Sequence, residues 1–144
     1  MPKIGAIVKL YVREAPVGVD GGALVAFPHD PTRAVEWLVT PEDEGFRLTA
    51  KGTEESIVAT GTERAPVEVR ADATAASVWR LQRVDDEGAT TVASTDDLVD
   101  GTYTIDRNGL ALGRDLFEDR SLLPKRIFIR TDDRDARWRL EVLV

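Results

Sequence analysis

Short stretches in which apolar and polar residues alternate recur along the chain, while runs long enough for an amphipathic helix do not. Val8-Lys9-Leu10, Phe46-Arg47-Leu48 and Tyr103-Thr104-Ile105 each set apolar residues on either side of a polar one. That period of two marks a half-buried strand, because successive side chains point to opposite faces. Further strand signals follow at Ala23 to Phe27, Val67 to Val69 and Arg126 to Ile129. Asp20-Gly21-Gly22, Lys51-Gly52 and Arg107-Asn108-Gly109 separate them with residues that accept the positive φ of tight hairpins. The best helical window, Ala71 to Val84, has poor periodicity and contains the strand-like Trp79-Arg80-Leu81. The pattern predicts an all-β chain.

Three tryptophans punctuate it: Glu36-Trp37-Leu38-Val39, Val78-Trp79-Arg80-Leu81 and Arg137-Trp138-Arg139-Leu140. Each closes a block that opens with one of the alternating strands, and self-similarity of this kind is the mark of a repeat architecture. Four short strands per block predict about a dozen strands in three pseudo-symmetric blocks. The expectation is a single β-trefoil domain over 1–144, with blocks at about 5–41, 42–84 and 101–144; a β-sandwich is the alternative. Trp37 and Trp79 lie 42 residues apart, but Trp79 and Trp138 lie 59 apart. The excess falls in 85–100, an acidic stretch poor in large apolar groups that reads as a solvated connecting loop. Counted from Trp138 through Val144 and on from Met1 to Trp37, the step is 43, close to the regular one. Two readings follow: a circular rearrangement of the blocks, with Met1 and Val144 side by side, or an ordinary long loop.

Composition narrows the chemistry. At 144 residues and 15.8 kDa the chain supports one core. Its 26 acidic and 19 basic residues give a formal charge of −7, and no basic stripe suits a nucleic acid. With no cysteine there is no disulfide scaffold and no thiol catalysis. The one histidine, His29, sits in the turn Pro28-His29-Asp30-Pro31, so a nucleophile–base pair would need Ser56, Ser77, Ser94 or Ser121 beside it, and zinc lacks ligands. Glu42-Asp43-Glu44, Asp96-Asp97 and Asp132-Asp133-Arg134-Asp135 do not follow calcium-loop spacing. The expectation is therefore no enzyme, no catalytic residue, no metal and no cofactor. No apolar run approaches the roughly 18 residues of a spanning helix, and the N-terminus shows no signal peptide. A monomer without nucleic-acid or membrane partners is expected, its compartment open.

One family resemblance rests on the last third of the chain. Gly101-Thr102-Tyr103-Thr104-Ile105, Leu112-Gly113-Arg114, the stretch Glu118-Asp119-Arg120-Ser121-Leu122-Leu123-Pro124-Lys125 and Trp138 resemble the opening block of cospin-like β-trefoil serine-protease inhibitors of mushrooms and actinobacteria. The block order departs from that family, whose usual first block stands last here. The resemblance implies a serine-protease inhibitor whose exposed loop, Asp115 to Lys125, inserts like a substrate into a trypsin-like active site. Arg120 followed by Ser121 would be the primary specificity pair, its guanidinium meeting the pocket carboxylate. Asp119, Leu122 and Leu123 complete the protease-binding loop, with Leu122 or Leu123 leading against a subtilisin-like enzyme. Pro124 and Phe117 or Leu116 would stiffen it, and Arg114, Lys125 or Arg33 are the fallback sites. Without the resemblance, Arg120 beside Glu118 and Asp119 reads as a surface ion pair, and the leucines as core. Two rivals stand: a carbohydrate-binding, lectin-like trefoil and a non-inhibitory or engineered permuted scaffold. A ricin-type lectin would carry glutamine two residues before each tryptophan, where this chain has Val35, Ser77 and Ala136.

Overall fold

Alternation carries directly into burial. In the computed structural model, which describes residues 5–28, 30–42, 45–58, 67–71, 78–107, 110–114, 125–130 and 137–143, β1 (Ala6–Val12) buries Ala6, Val8, Leu10 and Val12 and turns Ile7, Lys9 and Tyr11 outward. β5 (Gly45–Ala50) does the same with Phe46, Leu48 and Ala50. The other strands are β2 (Ala15–Asp20), β3 (Ala23–Ala26), β4 (Glu36–Glu42), β6 (Ser56–Val58), β7 (Glu68–Arg70), β8 (Arg80–Asp85) and β9 (Gly88–Thr91). β10 (Gly101–Arg107), β11 (Leu110–Arg114), β12 (Lys125–Arg130) and β13 (Trp138–Val142) complete the order.

These join in one 13-stranded antiparallel sheet. Seven strands close a barrel, β1 to β2, β3, β12, β11, β10, β13 and back to β1. β4, β5, β6 and β7 run from β1 round to β3. Phe46 and Trp79 exchange both amide hydrogen bonds at 2.8 Å, tying β5 to the start of β8. Closure removes edges that would otherwise leave backbone groups unpaired. The first and last described strands are neighbours: Val8 faces Val142, and Leu143 N–H donates to the Ile7 carbonyl at 2.8 Å. Met1 and Val144 themselves lie outside the described residues.

The interior is filled rather than hollow. Trp37, Trp79, Trp138 and Tyr103 are fully buried among Leu10, Leu24, Leu48, Ile57, Leu81, Ile105, Leu112 and Ile127. The three tryptophans, alike in sequence, differ in bonding. Trp79 Nε1 donates to the Ile57 carbonyl at 3.0 Å and Trp138 Nε1 to that of Leu112 at 2.9 Å, while the Trp37 indole N–H has no partner among the described residues.

The pairing corrects the picture of three equivalent blocks. The described residues form thirteen strands, in line with the expected dozen or so, but they join in one sheet around a closed seven-strand barrel. The stretch 85–100 is largely exposed, as expected of a solvated connection, but it carries the strand β9 and is anchored to the body at three points. Ser94 caps a single 3₁₀ turn, Thr95–Asp97, its hydroxyl accepting from Asp96 N–H at 3.2 Å. Val92, Thr95 and Leu98 are buried beside it. Tyr103 then fastens the segment, its hydroxyl donating to the Val99 carbonyl at 2.7 Å and accepting from the Val99 N–H at 3.1 Å. Tyr103→Phe is expected to cost about 1–2 kcal/mol, because both backbone groups lose their partner. Hydrogen exchange should show the Val99 amide opening before the barrel; unchanged protection there would contradict the clamp.

Candidate functional site

The β1–β2 hairpin turns on two charged residues in an uncommon conformation. Arg13 and Glu14 have φ of 49° and 61°, the left-handed region that such two-residue turns demand and that Asn and Gly fill most cheaply. Across the barrel wall, Tyr11 lies opposite Arg139 on one side and Pro16 on the other. The Arg139 guanidinium sits over the Tyr11 ring, 3.9 Å from its centre. Its Nε donates to Glu14 Oε2 at 2.9 Å and Oε1 at 3.2 Å. Each contact is worth little at the surface, of the order of 0.5–1 kcal/mol. Together they hold an aromatic face, a cation and a carboxylate in one outward cluster.

The next outward row is charged throughout. Lys9 on β1 faces Glu141 on β13 and Glu36 on β4, and Lys51 Nζ lies 3.7 Å from Glu36. Among the described residues no group of three His, Cys, Asp or Glu is arranged to hold a metal ion. The cluster sets an aromatic ring, a guanidinium stacked on it and a carboxylate paired with that guanidinium on the outer wall.

The sequence-derived site falls elsewhere. Asp119, Arg120, Ser121, Leu122 and Leu123 all lie outside the described residues, as do Leu116, Phe117, Pro124 and His29. Lys125, a fallback specificity residue, opens β12 opposite Ala26 and is buried, which withdraws it from any exposed loop. Arg33 ends the turn Pro31–Arg33, stacked 4.6 Å from the Phe27 ring centre and 3.7 Å from Asp20. Arg114 ends β11 opposite Ile127. The Tyr11–Glu14–Arg139 cluster had no sequence signal, since Arg139 and Glu14 are 125 residues apart. Alternation in β1 turns Tyr11 outward, but only the β1–β13 register brings Arg139 to it.

No family model and no curated protein sequence matches the chain. The fold is similar to that of the lysenin pore. The crystal structure of that pore matches at a TM-score of 0.63 and 12% identity, over 96% of this chain and 46% of that one. The chain thus spans less than half the length of the protein it is similar to, and at this identity the likeness bears on fold alone.

That likeness overturns the cospin-like assignment, with the trefoil class and the protease-inhibitor reading built upon it. The fold is a lysenin-like, all-β one with a closed seven-strand antiparallel barrel. The described residues among those that suggested the inhibitor family have packing roles, while Glu118 to Pro124 lie outside the described residues. Ile105 and Leu112 are core residues, Tyr103 holds Val99, and Trp138 holds the Leu112 carbonyl. Such roles recur in any closed antiparallel barrel and carry no protease specificity.

Proposed function

We propose that the chain is a membrane-attaching module of a lysenin-like pore-forming protein, acting by binding and not as an enzyme. The observation that carries this reading is the match of 96% of the chain to the lysenin pore. Strand length supports attachment over spanning. A strand that crosses a bilayer needs about 9–11 residues and an apolar outer face. The longest strands described here, β1, β4 and β10, have seven, and Lys9, Glu36, Arg139 and Glu141 all lie on the outer wall. Among the described residues the three tryptophans belong to one buried apolar core.

The expectation of no membrane partner rested on the lack of a helix-length apolar run, which bears on helices and not on attachment by a strand surface. A formal charge of −7 disfavours anionic lipid. Attachment as a monomer through the Tyr11–Arg139 cluster fits an aromatic with a cation stacked on it at a membrane interface.

Flotation with vesicles made from total membrane lipid extract tests this. The protein should float with them, added phosphatidylserine should not raise the bound fraction, and Tyr11→Ala combined with Arg139→Ala should reduce it about tenfold, the loss of a small anchor. Binding that rises with phosphatidylserine, or that the double variant leaves intact, counts against this surface.

A further inference from the structure

The insertion that lengthens the step between Trp79 and Trp138 contains a strand with one side unused. Among the described residues β9 pairs with β8 alone, and it ends the order of the sheet. Gly88, Ala89, Thr90 and Thr91 are all exposed, so the rest of the chain does not cover them. The register gives the direction of their backbone groups. Val92 N–H donates to the Leu81 carbonyl at 2.8 Å, and opposed pairs in an antiparallel ladder alternate between exchanging hydrogen bonds and not exchanging them. Stepping back through Gln82–Thr91, Arg83–Thr90 and Val84–Ala89, Thr90 bonds to β8, whereas Ala89 and Thr91 turn their N–H and C=O groups away. Two donors and two acceptors stand on a β-favouring Thr-Thr-Val run with no lysine, proline or bulge to blunt it.

Charge selects the occupant. The turn that leads into β9 carries Asp85, Asp86 and Glu87, all exposed, and no basic residue lies between Val84 and Asp100. Arg83 is the cation beside Thr90 on β8. A second copy on this edge would bring a second chain of formal charge −7, with the same acidic 85–87 turn, against the first, and like charges oppose pairing. We propose that β9 is a docking edge for an extended, lysine- or arginine-rich segment of a partner protein, added as a further strand. This inference does not depend on membrane attachment.

The probe is a fluorescein-labelled Lys-Lys-Thr-Val-Thr-Val-Lys-Lys peptide, read by fluorescence anisotropy at low salt, with a glutamate-for-lysine peptide as control. Saturable binding of the basic peptide alone is expected, weakening as salt rises. Asp86→Asn with Glu87→Gln should weaken it at least threefold. Thr91→Pro removes an N–H the fold does not use, which an edge strand tolerates, and should weaken binding at least tenfold with the thermal midpoint kept. If that variant loses stability, Thr91→Lys makes the same test by charge, leaving the backbone intact. No saturation at millimolar peptide, equal binding of both peptides, or binding retained by both Thr91 variants would overturn the proposal. So would a dimer in sedimentation that Thr91→Pro abolishes, which would assign the edge to a second copy.

Discussion

Trp138→Ala is expected to lower the unfolding free energy by about 3–5 kcal/mol, the range for emptying a fully buried aromatic site. Trp138 is completely buried, it opens β13 between β1 and β10, and its indole holds the Leu112 carbonyl at 2.9 Å. Its loss leaves both a cavity at the meeting of three barrel strands and an unpaired carbonyl. For a domain whose total stability is about 5–15 kcal/mol, such a change leaves little native population on warming. Replacement by phenylalanine separates the two contributions. Trp138→Phe and Trp79→Phe each forfeit a hydrogen bond, whereas Trp37→Phe removes an N–H that has no partner among the described residues. Urea unfolding followed by circular dichroism should rank Trp37→Phe as the mildest of the three by about 1 kcal/mol. An equal cost for all three would mean that the hydrogen bonds contribute nothing.

The second large effect is at Gly18. A Cβ there would lie 2.2 Å from the Arg33 carbonyl oxygen and 3.1 Å from Phe27 Cε2. The nearer atom is backbone, so no rotamer change relieves the clash. β2 must separate from the Pro31–Arg33 turn, which breaks the 3.2 Å bond from Val35 N–H to the Val17 carbonyl and lifts Arg33 from Phe27. Gly18→Ala should cost about 3 kcal/mol, at the upper end for overpacking. Gly21→Ala is the control: nothing lies within 4 Å of its Cβ, but its φ is +59°, so about 1 kcal/mol of left-handed strain is the whole cost. Thermal unfolding should show the larger loss at Gly18. The opposite order would mean that conformation outweighs close approach.

Much of the barrel was legible in the chain. Val8-Lys9-Leu10 and Phe46-Arg47-Leu48 became β1 and β5 with the expected faces, because burying one side of a strand imposes a strict period of two. Asp20-Gly21-Gly22 became the β2–β3 hairpin, with Gly21 and Gly22 at positive φ. The anchoring of the acidic stretch 85–100 was not legible because its buried residues, Val92, Thr95 and Leu98, are few and small, and the residue that fastens it, Tyr103, belongs to the next strand. The family was misread for a related reason. Core positions such as Tyr103 and Ile105 encode packing in general, so a motif built from them does not identify one barrel family. The Tyr11–Arg139 cluster depends on register between strands at opposite ends of the sequence, and alternation within either strand says nothing about register. The loop around Arg120 lies outside the described residues.

Membrane attachment without spanning is tested most directly by following tryptophan emission and dye release together while the protein binds dye-loaded vesicles of total membrane lipid extract. Trp37, Trp79 and Trp138 are all fully buried, so a folded module that docks by its outer wall should bind, keep its emission maximum and release no dye. A protein that stays free of every vesicle, or one whose emission shifts as dye escapes, would contradict it.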